Sequence, residues 1–111
     1  LSVYKGPEFN ILNKEQVEQL FQIPLKISNQ NRMGCRLKSS LKIKPDFKLS
    51  QSIRPGTVQL TPSGTLLIAG FDGQVSGGYP RILQLTDEAL NVLAQKIEGT
   101  EVFFKLSNTL L

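Results

Sequence analysis

Apolar and polar positions alternate at short period over most of this chain, and the elements they predict are mainly strands. Leu1 to Tyr4 predicts a short strand, broken by Gly6-Pro7. Leu25 to Ser28 and Leu41-Lys42-Ile43-Lys44 alternate residue by residue, as a half-buried strand does. Between them Ser28-Asn29-Gln30-Asn31 reads as a polar turn, after which Arg32 to Leu37 re-enters extended structure. Thr57 to Leu60, Thr65 to Phe71, Arg81 to Leu85 and Glu101 to Leu106 predict further strands. Thr65 to Phe71 is the most apolar and β-prone, so it is expected to be the most buried. Arg54-Pro55-Gly56 signals a turn with Pro55 and Gly56 at the central positions of type II, and Thr61-Pro62-Ser63-Gly64 signals another.

Two stretches change to helical period. Asn13 is placed to cap the first, with Gln16 as its capping-box partner and Val17, Leu20 and Phe21 as its apolar face; Pro24 ends it. Thr86 caps the second, and Asp87 and Glu88 occupy the first turn, where the helix dipole favours anions. Leu90, Leu93, Ala94 and Ile97 form its stripe, and Gly99 stands where a helix C-terminal glycine belongs. Many short strands with turns between them indicate a barrel or sandwich, and 111 residues suit one domain.

Composition narrows the chemistry. There is no histidine, which excludes Ser-His-Asp and Cys-His catalysis within this chain and most catalytic zinc sites. The 9 acidic residues are scattered without metal-ligand spacing. A single cysteine, Cys35, forms no internal disulfide and suits a reducing cytoplasm. No apolar run approaches the roughly 18 to 20 residues that span a bilayer, and no signal peptide is evident. The first residue is Leu1, so the chain is expected to be trimmed from something longer. The net charge of +4 concentrates in Arg32, Arg36, Lys38, Lys42, Lys44, Lys48 and Arg54, opposed by Asp46. Such a stripe can attract nucleic acid, but Phe47 is its one aromatic, so a solvated sheet face is the expectation.

Three segments carry more than packing requires. Arg32, beside Gly34 at a strand entry, presents a planar fork suited to a carboxylate or phosphate. Gln59 lies between apolar Val58 and Leu60 and faces opposite to both, towards either solvent or a pocket. Ser76-Gly77-Gly78-Tyr79-Pro80 offers a backbone that can approach an anion closely.

Taken together, these segments resemble one family. Asn31-Arg32-Met33-Gly34-x-Arg36-Leu37 is similar to the NRMG-x-RL motif of the allophanate hydrolase subunit 2 family. Pro55-Gly56-Thr57-Val58-Gln59-Leu60 resembles its PG-x-IQ-V block, and Pro62-Ser63-Gly64 its P-x-G turn. Asp72-x-Gln74-x-x-Gly77-Gly78-Tyr79-Pro80-x-Ile82 resembles its GGYP loop. Leu93-Ala94-Gln95, Gly99 and Val102-x-Phe104 resemble its ending, and Gly6-Pro7 an early GP. Gly73, Val75 and Cys35 depart from the family pattern of arginine, threonine and a larger residue.

The resemblance implies a mainly β, cyclophilin-like closed barrel with two short peripheral helices, residues 1–111 being the C-terminal half of a family member. It implies a non-autonomous subunit of an ATP-dependent amide-opening complex of the 5-oxoprolinase or allophanate hydrolase type. A subunit 1-type, KipI-like protein would be the partner and a small carboxylate or amide the substrate. ATP would be used by the whole complex, with no cofactor or metal held by this domain and the general base coming from the partner. Arg32, Gln59, Gly77, Gly78 and Tyr79 would bind substrate; Met33, Pro62, Asp72, Gln74 and Pro80 would wall the pocket or meet the partner. The alternative is a regulatory module that sequesters a histidine-kinase inhibitor.

Overall fold

The computed structural model describes residues 1–43, 51–72 and 75–107, with the backbone alone described at 51–52 and 75–77. The elements in chain order are β1 (Ser2–Lys5), a 3-10 turn (Phe9–Ile11), α1 (Lys14–Gln22), β2 (Leu25–Asn31), β3 (Gly34–Lys38), β4 (Gln51–Ile53), β5 (Thr57–Leu60), β6 (Thr65–Ala69), β7 (Val75–Gly77), β8 (Arg81–Leu85), α2 (Asp87–Leu93), β9 (Glu101–Val102) and β10 (Lys105–Leu106). Eight strands form one sheet in the order β10-β1-β8-β5-β6-β3-β2-β9, and β4 pairs with β7 in a separate ribbon. Every pairing is antiparallel except β1 with β10.

The order of the outer strands closes the sheet. β9 pairs with β2 at one edge and β10 with β1 at the other, yet only Phe103 and Phe104 separate them in the chain. Residues 101–106 therefore join the two edges, and Phe104 is buried at the bend. The fold is a mainly β, cyclophilin-like barrel with two short helices.

The capping box at Asn13 forms as the sequence predicts. Asn13 Oδ1 accepts from the Gln16 amide at 2.8 Å, and Gln16 Oε1 accepts from the Asn13 amide at 3.0 Å. Leu20 of α1 is buried in the core, and Phe21 packs at its margin against Phe9. Thr86 caps α2 by accepting from Ala89 N at 3.1 Å. Gly56 takes φ 87°, the positive angle a type II turn demands, and Thr57 N donates to Arg54 O at 3.1 Å.

Several boundaries differ from expectation. β2 does not turn at Ser28 but runs on to Asn31, absorbing an irregularity between Ile27 and Asn29. The turn is Arg32-Met33, fixed by Asn31 Oδ1 accepting from Met33 N at 2.8 Å, so Arg32 and Met33 are not extended. β6 ends at Ala69 with Phe71 60% exposed, and among the strands whose side chains are described the most buried is β5, all four of whose residues are buried. β5 lies between β6 and β8 with cover on both faces, which an apolar count along one strand does not reveal. Leu41 to Ile43 form no strand; Leu41 is buried, and Lys44 lies outside the described residues. Residues 101–106 make two strands rather than one. α2 stops at Leu93, so Ala89, Leu90 and Leu93 are its buried face while Ala94 and Ile97 are exposed. Gly99 serves the following turn instead, its N–H donating to Ile27 O at 2.8 Å. No helix among the described residues is long and apolar enough to cross a membrane.

Candidate ligand site

Strand register sorts the side chains into rows. Cys35, Ile68, Val58 and Leu83 are successive partners across β3, β6, β5 and β8, and all are buried in the core. In the adjoining row, Asn29, Arg36, Leu67 and Gln59 are partners across β2, β3, β6 and β5 on the other face, and an irregularity in β8 brings Arg81, two residues from Leu83, opposite Gln59. This second row is polar at both ends with Leu67 between them.

Gln59 is 3% exposed although polar. Its Oε1 accepts from Tyr79 N at 3.4 Å. Its Nε2 has no partner among the described residues, and Gln59 lines a neighbouring cavity. That cavity, about 240 Å³, is lined by Asn29, Asn31, Met33, Gly34, Arg36, Gln59, Leu67 and Ala69, with Cys35 and Ile68 at its back. Gly34 keeps it open and keeps β3 close to β6, because a Cβ there would collide with the Ile68 carbonyl oxygen.

A larger cavity of about 420 Å³ lies towards the core side of the same strand ends, between the Arg32-Met33 turn, the end of β6 and α2. Its apolar wall includes Ile68, Phe71, Leu90 and Leu93, and Arg32 and Asp72 stand at its rim. Arg32 Nε lies 2.7 Å from an Asp72 carboxylate oxygen, and the arginine side chain is 89% exposed. The backbone ties the same groups together, with Gly70 N donating to Met33 O and Asp72 N to Arg32 O. Cys35 lines both cavities, but burial pushes its thiol from 9.0 to about 11, so it stays protonated at neutral pH and is no nucleophile.

The residues expected to form one site are therefore divided. Gln59 and Tyr79 meet through a hydrogen bond, and Met33 joins Gln59 at the smaller cavity. Arg32 and Asp72 turn to the larger one. Pro80 is buried and its carbonyl accepts from Leu60 N at 3.0 Å. Pro62 lies in the β5–β6 turn at the opposite end of β6 from Arg32, lining neither cavity. Gly77 pairs with Gln51 in the β4–β7 ribbon. Gly78 is exposed without positive φ, and a Cβ there would meet open space, so no contact among the described residues demands glycine. Gln74 and Gly73 lie outside the described residues. Arg36 and Asn29 were not singled out for this site from the sequence. The signal was available in the alternation of Cys35, Arg36 and Leu37, which turns Arg36 to the same side as Gln59 once the strands pair.

Barrel and cavity together define a cyclophilin-like β-barrel domain with a small-molecule-sized cleft at one end of its strands. The chain belongs to the family described as carboxyltransferase domain, subdomain A and B, whose model matches residues 1–106. It is 40% identical over 80 residues to the C subunit of 5-oxoprolinase from Haemophilus influenzae, covering 70% of this chain and 26% of that protein. It is 34% identical over 102 residues to the C subunit of 5-oxoprolinase from Escherichia coli K12, covering 89% of this chain and 33% of that one. The chain thus spans a quarter to a third of the length of these curated relatives. Crystal structures of TTHA0988 superpose on 95% of this chain with TM-scores of 0.79 and 0.78 at 28% identity, matching 21% and 20% of those chains.

Proposed function

We propose that this chain is the barrel portion of a subunit in a 5-oxoprolinase-type complex, contributing a substrate-binding wall that a subunit 1-type partner completes. The observation that carries this reading is the cavity beside Gln59. It offers hydrogen-bond donors on an apolar floor and contains no acidic side chain among the described residues, which suits a small molecule rich in carbonyl and carboxylate oxygens. The names of the relatives agree with such a molecule. The described residues supply no histidine and no activated thiol, so proton transfer falls to the partner, and ATP is used by the complex as a whole. Exposed Met33 and Phe71, held beside the Arg32–Asp72 pair, give that partner an apolar anchor with a charged rim. Tyr79 fixes Gln59 from behind, and open space around Gly78 leaves room for an incoming body.

Reconstitution tests this. The full-length protein alone should show no 5-oxoproline-dependent ATP hydrolysis, and addition of a subunit 1-type partner should restore it. Turnover by the protein alone would overturn the non-autonomous reading. The exposed Met33–Phe71 surface also favours a second reading, in which this face sequesters a regulatory partner. If Arg32→Ala abolishes assembly itself, that reading gains; if assembly and turnover both survive it, the enzyme reading gains.

A further inference from the structure

The row across β3, β6, β5 and β8 holds two arginines on either side of Gln59, and they differ in what already occupies them. Arg81 is bound to Glu8 by a two-pronged contact, Nε to Oε1 at 2.8 Å and Nη2 to Oε2 at 3.0 Å. Arg36 has no ion pair among the described residues. Arg32, the arginine nearest in sequence, is engaged by Asp72 and lines the other cavity. Arg36 is thus the one guanidinium lining the Gln59 cavity that no carboxylate neutralises among the described residues.

The remaining polar groups point the same way. Gln59 is almost wholly buried, lines that cavity, and has an Nε2 without a partner among the described residues. Asn29 Oδ1 is taken by Asn31 Nδ2 at 3.3 Å, which leaves the Asn29 amide nitrogen as a donor. Arg36 and Gln59 both pair with Leu67, so they stand two strands apart, about 10 Å between backbones. Two long side chains at that separation reach the two ends of a small molecule lying on Leu67.

We propose that Arg36, rather than Arg32, takes the carboxylate of a small ligand in this cavity, while Gln59 Nε2 donates to a carbonyl oxygen at the ligand's other end. This deepens the substrate-site reading above and rests on it. The fit is to a small, compact molecule with one carboxylate and one amide or ketone carbonyl. Charge-assisted recognition by Arg36 sets the preference for the acid, and Gln59 sets the preference for the carbonyl.

Calorimetric titration of the full-length protein with 5-oxoproline and with 2-pyrrolidinone, which lacks the carboxylate, tests the assignment. Removal of one charge-assisted contact by Arg36→Gln should weaken 5-oxoproline binding about tenfold or more and leave 2-pyrrolidinone unchanged. Arg36→Lys should recover part of the loss, and Gln59→Leu should weaken both ligands. Arg32→Gln should change neither. The assignment is overturned if Arg32→Gln produces the selective loss and Arg36→Gln does not, or if the wild-type protein binds neither probe. A complex that assembles and turns over but ignores Arg36→Gln sinks this assignment and keeps the subunit reading. A complex that never forms sinks the subunit reading, and the titrations still decide between the arginines.

Discussion

Cys35 and Arg36 are neighbours in the chain, and the rows they begin run side by side across the same strands. The row of Cys35, Ile68, Val58 and Leu83 is apolar and buried in the core, with Cys35 and Ile68 also forming the apolar backing of the cavities. The row of Arg36, Leu67, Gln59 and Arg81 begins with a cation unpaired among the described residues and ends with a neutralised one, around a buried amide with an open end. Adjacent rows of one sheet thus separate a buried apolar face from a face whose polar interactions are partly unspent. The first kind of face gives a fold its stability, and the second leaves free energy available for a ligand.

The largest effect comes from the core row. Ile68→Ala should lower stability by about 3 kcal/mol in chemical denaturation, whereas Leu67→Ala, half-buried on the other face, should cost about 1 kcal/mol. Equal losses would break the comparison. Next is the end of the polar row that is already paired. The Glu8 and Arg81 side chains are 15% and 21% exposed, and Glu8 also accepts from Arg81 N at 2.9 Å. Glu8→Ala should therefore cost about 2 kcal/mol, with Glu8→Gln restoring part of it in the same assay.

Gln59→Leu sharpens the comparison from the ligand side. It exchanges a half-used amide for an apolar group of similar size, so stability should move by about 1 kcal/mol or less in either direction. A loss above that would show the amide to be a structural strut. Arg32→Ala, at an exposed pair, should shift stability by about 0.5 kcal/mol, and less in high salt.

The smallest effect at neutral pH concerns Cys35. Its thiol pKa is raised by burial from 9.0 to about 11, so the folded protein holds this proton after the unfolded chain has lost it. The contribution to stability is present below pH 9 and is lost as pH rises through 11. Thermal unfolding scans across that window should show the decline, and Cys35→Ala should flatten it. Alkylation of the native protein at pH 7 should be negligible.

Much of the barrel was legible in the chain because its signals are local. The cap at Asn13, the type II turn at Gly56 and the strand Thr57 to Leu60 each follow from a few adjacent residues. The misplaced features depend on partners far away in sequence. Ser28 to Asn31 looks like a turn by composition, but β3 beside it supplies hydrogen bonds that keep it extended. Leu41 to Ile43 has strand alternation without a strand to pair with among the described residues. For the site, alternation brings Gln59 out of the core row, and the register decides which arginine shares its cavity. Proximity along the chain favoured Arg32 within its motif; pairing through Leu67 favours Arg36.

The doubly paired segment 101–106 has a consequence for biogenesis. Its first half grips β2 and its second half grips β1, so among the described residues β1 has no neighbour on that edge until residues 105–106 are made. During synthesis at about 5 to 20 residues per second, β1 and β2 would wait with bare backbone edges on opposite sides of a curled sheet. Such edges are templates for association with other chains. A chaperone that shields them until residues 101–106 arrive would limit that association.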